Sequence, residues 1–248
     1  MLRNFFVKSW RLFFFINFFL TLVIFYLPFK FLLPRPSFRQ LAHQIQVWWA
    51  RYLLVAAGIR WKVLGSENIP PEGGFIIVAN HSSALDILLI YQIIPRPFHF
   101  LAKIEHSRTP LFGVMFGHTH IPLDRNNFIQ SAKAMNKASE DLKQGIPIVI
   151  FPEGTMNKTP GTLLPFKTGA FKLASESGVP IVPVAFPDHP VLLPRIYEIF
   201  YPGGGPGLSR VYIGRPIICH PSKVTWKEAL NMCREFLEAK IMKDHHPS

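Results

Sequence analysis

Residues 75–86 read Phe75-Ile76-Ile77-Val78-Ala79-Asn80-His81-Ser82-Ser83-Ala84-Leu85-Asp86. Five apolar residues without a charge predict a short, fully buried strand. The apolar run resumes from Ala84 to Ile94 at helical length. The stretch therefore predicts strand, turn, helix. Ser83 and Asp86 fit a capping box, in which a hydroxyl and a carboxylate serve the free N–H groups of a helix start. His81 and Asp86 are five residues apart, so a regular helix would point them away from each other. They meet only if His81 lies in the turn and Asp86 in the first helical turn. A carboxylate there would fix the tautomer of the imidazole and raise its basicity, as a general base requires.

Outward from this stretch the alternation continues. Phe98–Lys103, Ile146–Phe151, Ile181–Phe186 and Arg210–Ile218 read as further strands. Ile129–Gln144, Gly169–Ser177 and Thr225–Ile241 read as helices. This predicts an α/β fold, a central mixed sheet flanked by helices, over residues 61–248. Residues 1–60 differ: Leu12–Leu33 is apolar apart from Asn17, Thr21, Tyr26 and Lys30, with Pro28 interrupting it. A bilayer crossing needs about 20 apolar residues, so the segment is borderline between a span and an interfacial or re-entrant element. Lys8 and Arg11 precede it, and Lys30, Arg35 and Arg39 follow, so charge gives no orientation. No small-x-small cleavage site follows the run, which disfavours a cleaved signal peptide. Ser37–Ala57 predicts a second helix, with Leu41, Ile45, Trp48, Tyr52 and Val55 at helical spacing and Gly58 as its stop. The two together are an N-terminal membrane-associated helical pair.

The formal net charge of +12 requires an anionic partner. No acid precedes Glu67, and the bases before it alternate with Phe, Leu, Ile and Trp. That mixture suits an anionic membrane surface and not a nucleic acid. Cys219 and Cys233 form neither a C-x-x-C pair nor a metal pattern and read as reduced thiols. Tyr201–Gly207 is rich in Gly and Pro but lacks the Lys and hydroxyl of a phosphate loop.

Two further features stand at strand ends, where open α/β sheets bind ligands. Glu153-Gly154-Thr155 follows the strand Ile146–Phe151 and Pro152. The bases Lys103, Arg125 and Lys167 each lie near such an end. Each alone reads as a solvated charge; together they suit a phosphate. His118 and His120 stand near Asp124, too few ligands for a zinc site.

These residues resemble the glycerolipid acyltransferase family that includes the 1-acylglycerol-3-phosphate (lysophosphatidic acid) acyltransferases. Asn80 to Asp86 is similar to its N-H-x-x-x-x-D box. Lys103, Glu105, Pro110, Gly113, Gly117 and Asp124-Arg125 resemble the second block, Phe151 to Thr155 the third, and Val179 to Val184 the fourth. The resemblance implies that His81, held by Asp86, takes the proton of a lysophospholipid hydroxyl, which attacks an acyl thioester of coenzyme A or acyl carrier protein. It implies that Arg125, Lys103 and Lys167 hold the acceptor phosphate and that Glu153, Gly154 and Thr155 shape the acceptor site. It implies no metal or cofactor beyond the thioester donor, and a membrane location with the site facing the cytoplasm. Where the family's third block reads E-G-T-R, this chain has Met156. That departure keeps another lyso-lipid head group open beside lysophosphatidic acid. A noncatalytic relative disfavours itself, since both His81 and Asp86 are present.

Overall fold

In the computed structural model, residues 2–108, 111–194, 198, 200–219 and 224–243 are described. Two helices, α1 (Leu2–Leu32) and α2 (Arg39–Ala56), precede a seven-stranded sheet. The strands are β1 (Ile59–Leu64), β2 (Ile76–Ala79), β3 (His99–Lys103), β4 (His120–Leu123), β5 (Ile148–Ile150), β6 (Ile181–Ala185) and β7 (Gly207–Ile213). Their spatial order is β1-β7-β6-β2-β5-β3-β4, and only β6 and β7 pair antiparallel. The mixed sheet expected from sequence is present. β2 is central, with Val78 opposite Ile150 on one side and Pro183 on the other.

The pleat divides the core in two. Phe75, Ile77, Ala79, Val149, Val182 and Val184 face one side and pack with Leu22, Phe29, Trp49, Leu53, Leu54 and Leu89. Those partners come from α1, α2 and α3 (Leu85–Ile93). Ile76, Val78, Ile148, Ile150 and Ile181 face the other side. They pack on α4 (Phe128–Lys143), α5 (Gly169–Ser177) and α7 (Trp226–Lys243) through residues such as Ala138, Phe171 and Cys233. Both faces being covered, β2, β5 and β6 are buried throughout, as parallel strands require. A short helix, α6 (His189–Leu192), follows β6. The first two helices thus share one core with the residues of the α/β fold.

Two details of the N-terminal region differ from expectation. α1 continues through Pro28. Arg11, expected among the bases at the membrane, is fully buried. Its guanidinium donates to the carbonyls of Pro194 (2.8 Å), Gly203 (3.1 Å) and Glu198 (2.8 Å). The Gly-Pro loop after α6 therefore serves as an arginine socket. At the other end of α2, Gly58 adopts φ +68 and its N–H reaches Val55 O at 2.9 Å, the expected left-handed stop. As an interfacial helix requires, the apolar stripe of α2 points outward: Leu41, Trp48, Tyr52 and Val55 are exposed while Ala42, His43, Gln46, Trp49 and Leu53 are buried. On α1, Phe5, Phe13, Phe19, Leu20, Ile24 and Leu27 are likewise exposed.

At the sheet's far edge the strands are short. β4 is four residues long and was not foreseen, nor was β1. β7 starts at Gly207 and ends at Ile213, earlier than the expected Arg210–Ile218. The Gly214-Arg215-Pro216 turn ends it, and Ile217 makes only an isolated bridge to Ile181.

Candidate active site

β2 delivers its last residue beside the end of β6. There Asn80 clamps Phe186, accepting from its N–H (2.8 Å) and donating to its carbonyl (3.1 Å). His81 follows in the turn and Asp86 lies in the first turn of α3. The two meet: His81 Nδ1 stands 2.8 Å from Asp86 Oδ2. The same oxygen accepts the backbone N–H groups of Ser82 (2.7 Å) and Ser83 (2.9 Å). Ser83 Oγ in turn accepts from Leu85 N–H (3.2 Å) and donates to Leu193 O (2.8 Å). The capping reading and the paired reading of this stretch therefore hold together. Asp86 is fully buried, and burial alone would raise its carboxyl. Hydrogen bonds from His189 and His81 overcome that cost and bring it down to about 2.

The loop after β5 encloses His81. Phe151 stacks on its ring, with centroids 4.1 Å apart and planes 16° from parallel. Glu153 Oε1 accepts His81 N–H at 2.9 Å, and Oε2 accepts Leu164 N–H at 2.8 Å. Asn157 N–H donates to His81 O at 2.7 Å. Glu153 is 4% exposed, so its oxygens are committed to backbone and its acid is held above the usual carboxylate range by burial. Those backbone bonds oppose the rise without cancelling it.

The three bases are placed differently. Arg125 is exposed and its Nη1 donates to Gly154 O. Lys167 is exposed and its backbone N–H binds Pro152 O at 2.8 Å, next to Glu153. Lys103 ends β3 and pairs with Glu105 at 2.9 Å, both side chains about half exposed. Thr155 is exposed, and Met156 packs against the core beneath α1 and α2. The structure thus gathers His81, Asp86, Glu153, Gly154 and Arg125, with Lys167 alongside, while Lys103 is engaged with Glu105.

A model of the acyltransferase family matches residues 60–187. The chain belongs to the acyltransferase family.

The match contains every residue of the gathered set. Among the chain's relatives, the 1-acyl-sn-glycerol-3-phosphate acyltransferase of Saccharomyces cerevisiae is 35% identical over 150 residues, 59% of this chain and 49% of that protein. The enzyme of the same name from Borreliella burgdorferi is 38% identical over 135 residues, 52% and 51% of the two chains. The Homo sapiens alpha form is 34% identical over 140 residues, 53% and 47%. The chain spans about half the length of the curated relatives it matches. The crystal structure of the 1-acyl-sn-glycerophosphate acyltransferase PlsC from Thermotoga maritima superposes with a TM-score of 0.80 at 25% identity, covering 99% of both chains.

One residue at the centre of this candidate site escaped the sequence reading. His189, fully buried on α6, places Nδ1 against Asp86 Oδ1 and Nε2 2.7 Å from Ser209 Oγ. It stands 103 positions from Asp86, and no spacing rule links the two. His120, by contrast, is a core residue. It is buried between Phe100 and Phe116 with Nδ1 2.8 Å from Thr119 Oγ1, and burial lowers its pKa to about 4.

Proposed function

We propose that the chain transfers a fatty acyl group from a thioester of coenzyme A or acyl carrier protein to the free hydroxyl of 1-acylglycerol-3-phosphate, giving phosphatidic acid. The single observation that carries this is the 2.8 Å contact between His81 Nδ1 and Asp86 Oδ2 in the turn after the central strand. Asp86 accepts at Nδ1, so the neutral ring carries its proton there and Nε2 has a lone pair for the acceptor hydroxyl. As the hydroxyl oxygen attacks the thioester carbonyl, its proton passes to His81 Nε2. The C–O bond forms, the C–S bond breaks, and His81 returns the proton to the leaving sulfur. The step balances without an acyl-enzyme, a metal or a cofactor. Asp86, held ionised, stabilises the imidazolium that forms.

Arg125, Lys103 and Lys167 receive the acceptor phosphate in this reading. Glu153 acts by fixing the His81 backbone and the loop around it, and Gly154 with Thr155 forms the rim. The exposed stripe on α1 and α2 rests in the membrane interface. Support for lying on the bilayer, instead of crossing it, comes from the two ends of α1: Trp10 and Arg11 are buried at one, Phe29 and Leu32 at the other. A helix fastened to the core at both ends offers the lipid one face only. We place the active site on the cytoplasmic side, where thioester donors are made.

A second reading keeps the chemistry and changes the head group. Met156 supplies no charge where the family's third block has Arg, so phosphate is held by fewer cations here. The deciding experiment is a panel: purified protein, vesicles carrying lysophosphatidic acid or another lysophospholipid or an amino-acid-derived lyso-lipid, and each of the two donors. Phosphatidic acid as main product supports the first reading; transfer confined to another lyso-lipid establishes the second.

A further inference from the structure

We propose that His189 and Ser209 are positioning residues for the general base, a second arm that locks the unused oxygen of Asp86 so that the other stays on His81. This rests on the acyltransferase reading above.

The two carboxylate oxygens of Asp86 have separate partners. Oδ2 takes His81 and the two backbone N–H groups, all local in sequence. Oδ1 faces Nδ1 of His189, brought in from the far end of β6. Against an ionised carboxylate that nitrogen carries the proton, and Nε2 faces the Ser209 hydroxyl at 2.7 Å. The order along the chain of contacts is Ser209, His189, Asp86, His81, and the first three are completely buried.

His189 itself has little freedom. Its ring stacks on Phe186 with centroids 4.8 Å apart and planes 14° from parallel. Phe186 is the residue whose N–H and carbonyl are clamped by Asn80, the neighbour of His81. Asp188, just before it, accepts Arg210 N–H at 2.7 Å, next to Ser209 on β7. So Phe186 holds the His189 ring by its face, Asp86 of α3 meets Nδ1 and Ser209 of β7 meets Nε2.

A turn carboxylate needs no such arm merely to cap a helix, since the local N–H groups suffice. What the arm adds is resistance to rotation about the Asp86 Cβ–Cγ bond. Such rotation would swing Oδ2 off His81 and release the base from its tautomer and aim. Misplacing a reacting group by about 1 Å can cost roughly 10²-fold in rate. His189→Leu should therefore lower kcat by roughly 10- to 100-fold with the acceptor and donor KM unchanged. Asn keeps an N–H near the Nδ1 position, so His189→Asn should recover most of that loss. Ser209→Ala, a smaller perturbation, should cost a few-fold.

The test combines those kinetics with the His81 Nδ1 proton in spectra of protein labelled with 15N-histidine and held in detergent. A proton shared with a carboxylate lies far downfield; His189→Leu should weaken or shift that resonance and His189→Asn should restore it. A role in stability alone would lower the melting temperature and leave the resonance and folded-fraction kcat in place, which overturns the proposal. Should His189→Leu fail to fold, Ser209→Ala and His189→Asn decide: a resonance and kcat unchanged in Ser209→Ala, with no deficit for Asn to differ from, also overturns it. If wild-type protein transfers no acyl group to any lyso-lipid, the functional reading fails, and the resonance still decides whether His189 orients His81.

Discussion

A Cβ built on Gly154 would lie 2.6 Å from Nη1 of Arg125. The backbone there has φ +78, a conformation side chains disfavour, and its carbonyl accepts from the same guanidinium. The loop that holds His81 through Glu153 thus also seats Arg125. Gly154→Ala should push Arg125 away and strain the loop by about 1–2 kcal/mol. The expected kinetic result is a raised KM for the acceptor with the donor KM unchanged. Equal effects on both substrates would separate Arg125 from the acceptor.

Arg125→Ala tests the same seat from the other side. Losing a charge-assisted contact to phosphate should weaken acceptor binding by about 1.5–3 kcal/mol, roughly 10- to 150-fold. Steady-state kinetics with each substrate varied in turn reads this. A deficit confined to the thioester donor would move the phosphate elsewhere.

Arg11 is a prediction about stability. Arg11→Met fills part of the socket but leaves the carbonyls of Pro194, Glu198 and Gly203 without their donor. These acceptors are part-buried, so each one abandoned costs at most about 1–3 kcal/mol, of which relaxation and water recover a part. Thermal unfolding in detergent should fall by several degrees. An unchanged melting temperature would mean that the socket contributes nothing.

Attachment to the membrane is best probed on the exposed face. Deleting everything before Trp61 would uncover the sheet, because Leu22, Phe29, Trp49 and Leu53 belong to its core. Paired charges at Phe19 and Trp48, which are 52% and 73% exposed, leave that core alone. Each apolar side chain withdrawn from lipid removes roughly 1.5–3 kcal/mol, so Phe19→Asp with Trp48→Asp should move much of the protein from vesicles into solution at unchanged melting temperature. Full retention on vesicles would assign the anchor to another surface.

The strand-turn-helix around His81 was legible because it is local: a buried run, a turn and a cap lie within a dozen residues. α5 agrees end to end with the expected Gly169–Ser177 for the same reason, a helix bounded by its own signals. What stayed hidden depends on distance. β1 alternates burial along one edge and β4 is too short for a period, so only pairing with β7 and β3 defines them. Arg11 read as a lipid-facing base because its three carbonyl partners lie more than 180 residues away. His189 sits in Asp188-His189-Pro190, which carries no signal until the sheet closes.

Asp86 gives a pH signature of its own. Its carboxyl is lowered from 3.8 to about 2 in the folded chain. A depressed acid contributes stability above its unfolded pKa and loses it as pH falls through the folded one. Roughly 2 kcal/mol should therefore disappear between about pH 4 and pH 2. Asp86→Asn should be less stable near neutrality and lack that part of the acid decline. Parallel stability curves for the two proteins would contradict the hydrogen-bonded carboxylate.

The most direct measurement is acyl transfer by His81→Ala on vesicles carrying lyso-lipid and a thioester donor, beside wild-type protein of matched folding. General base catalysis contributes about 10²–10⁴-fold, so turnover should fall at least 10²-fold while the melting curve stays cooperative. A folded His81→Ala protein with wild-type turnover would contradict the account.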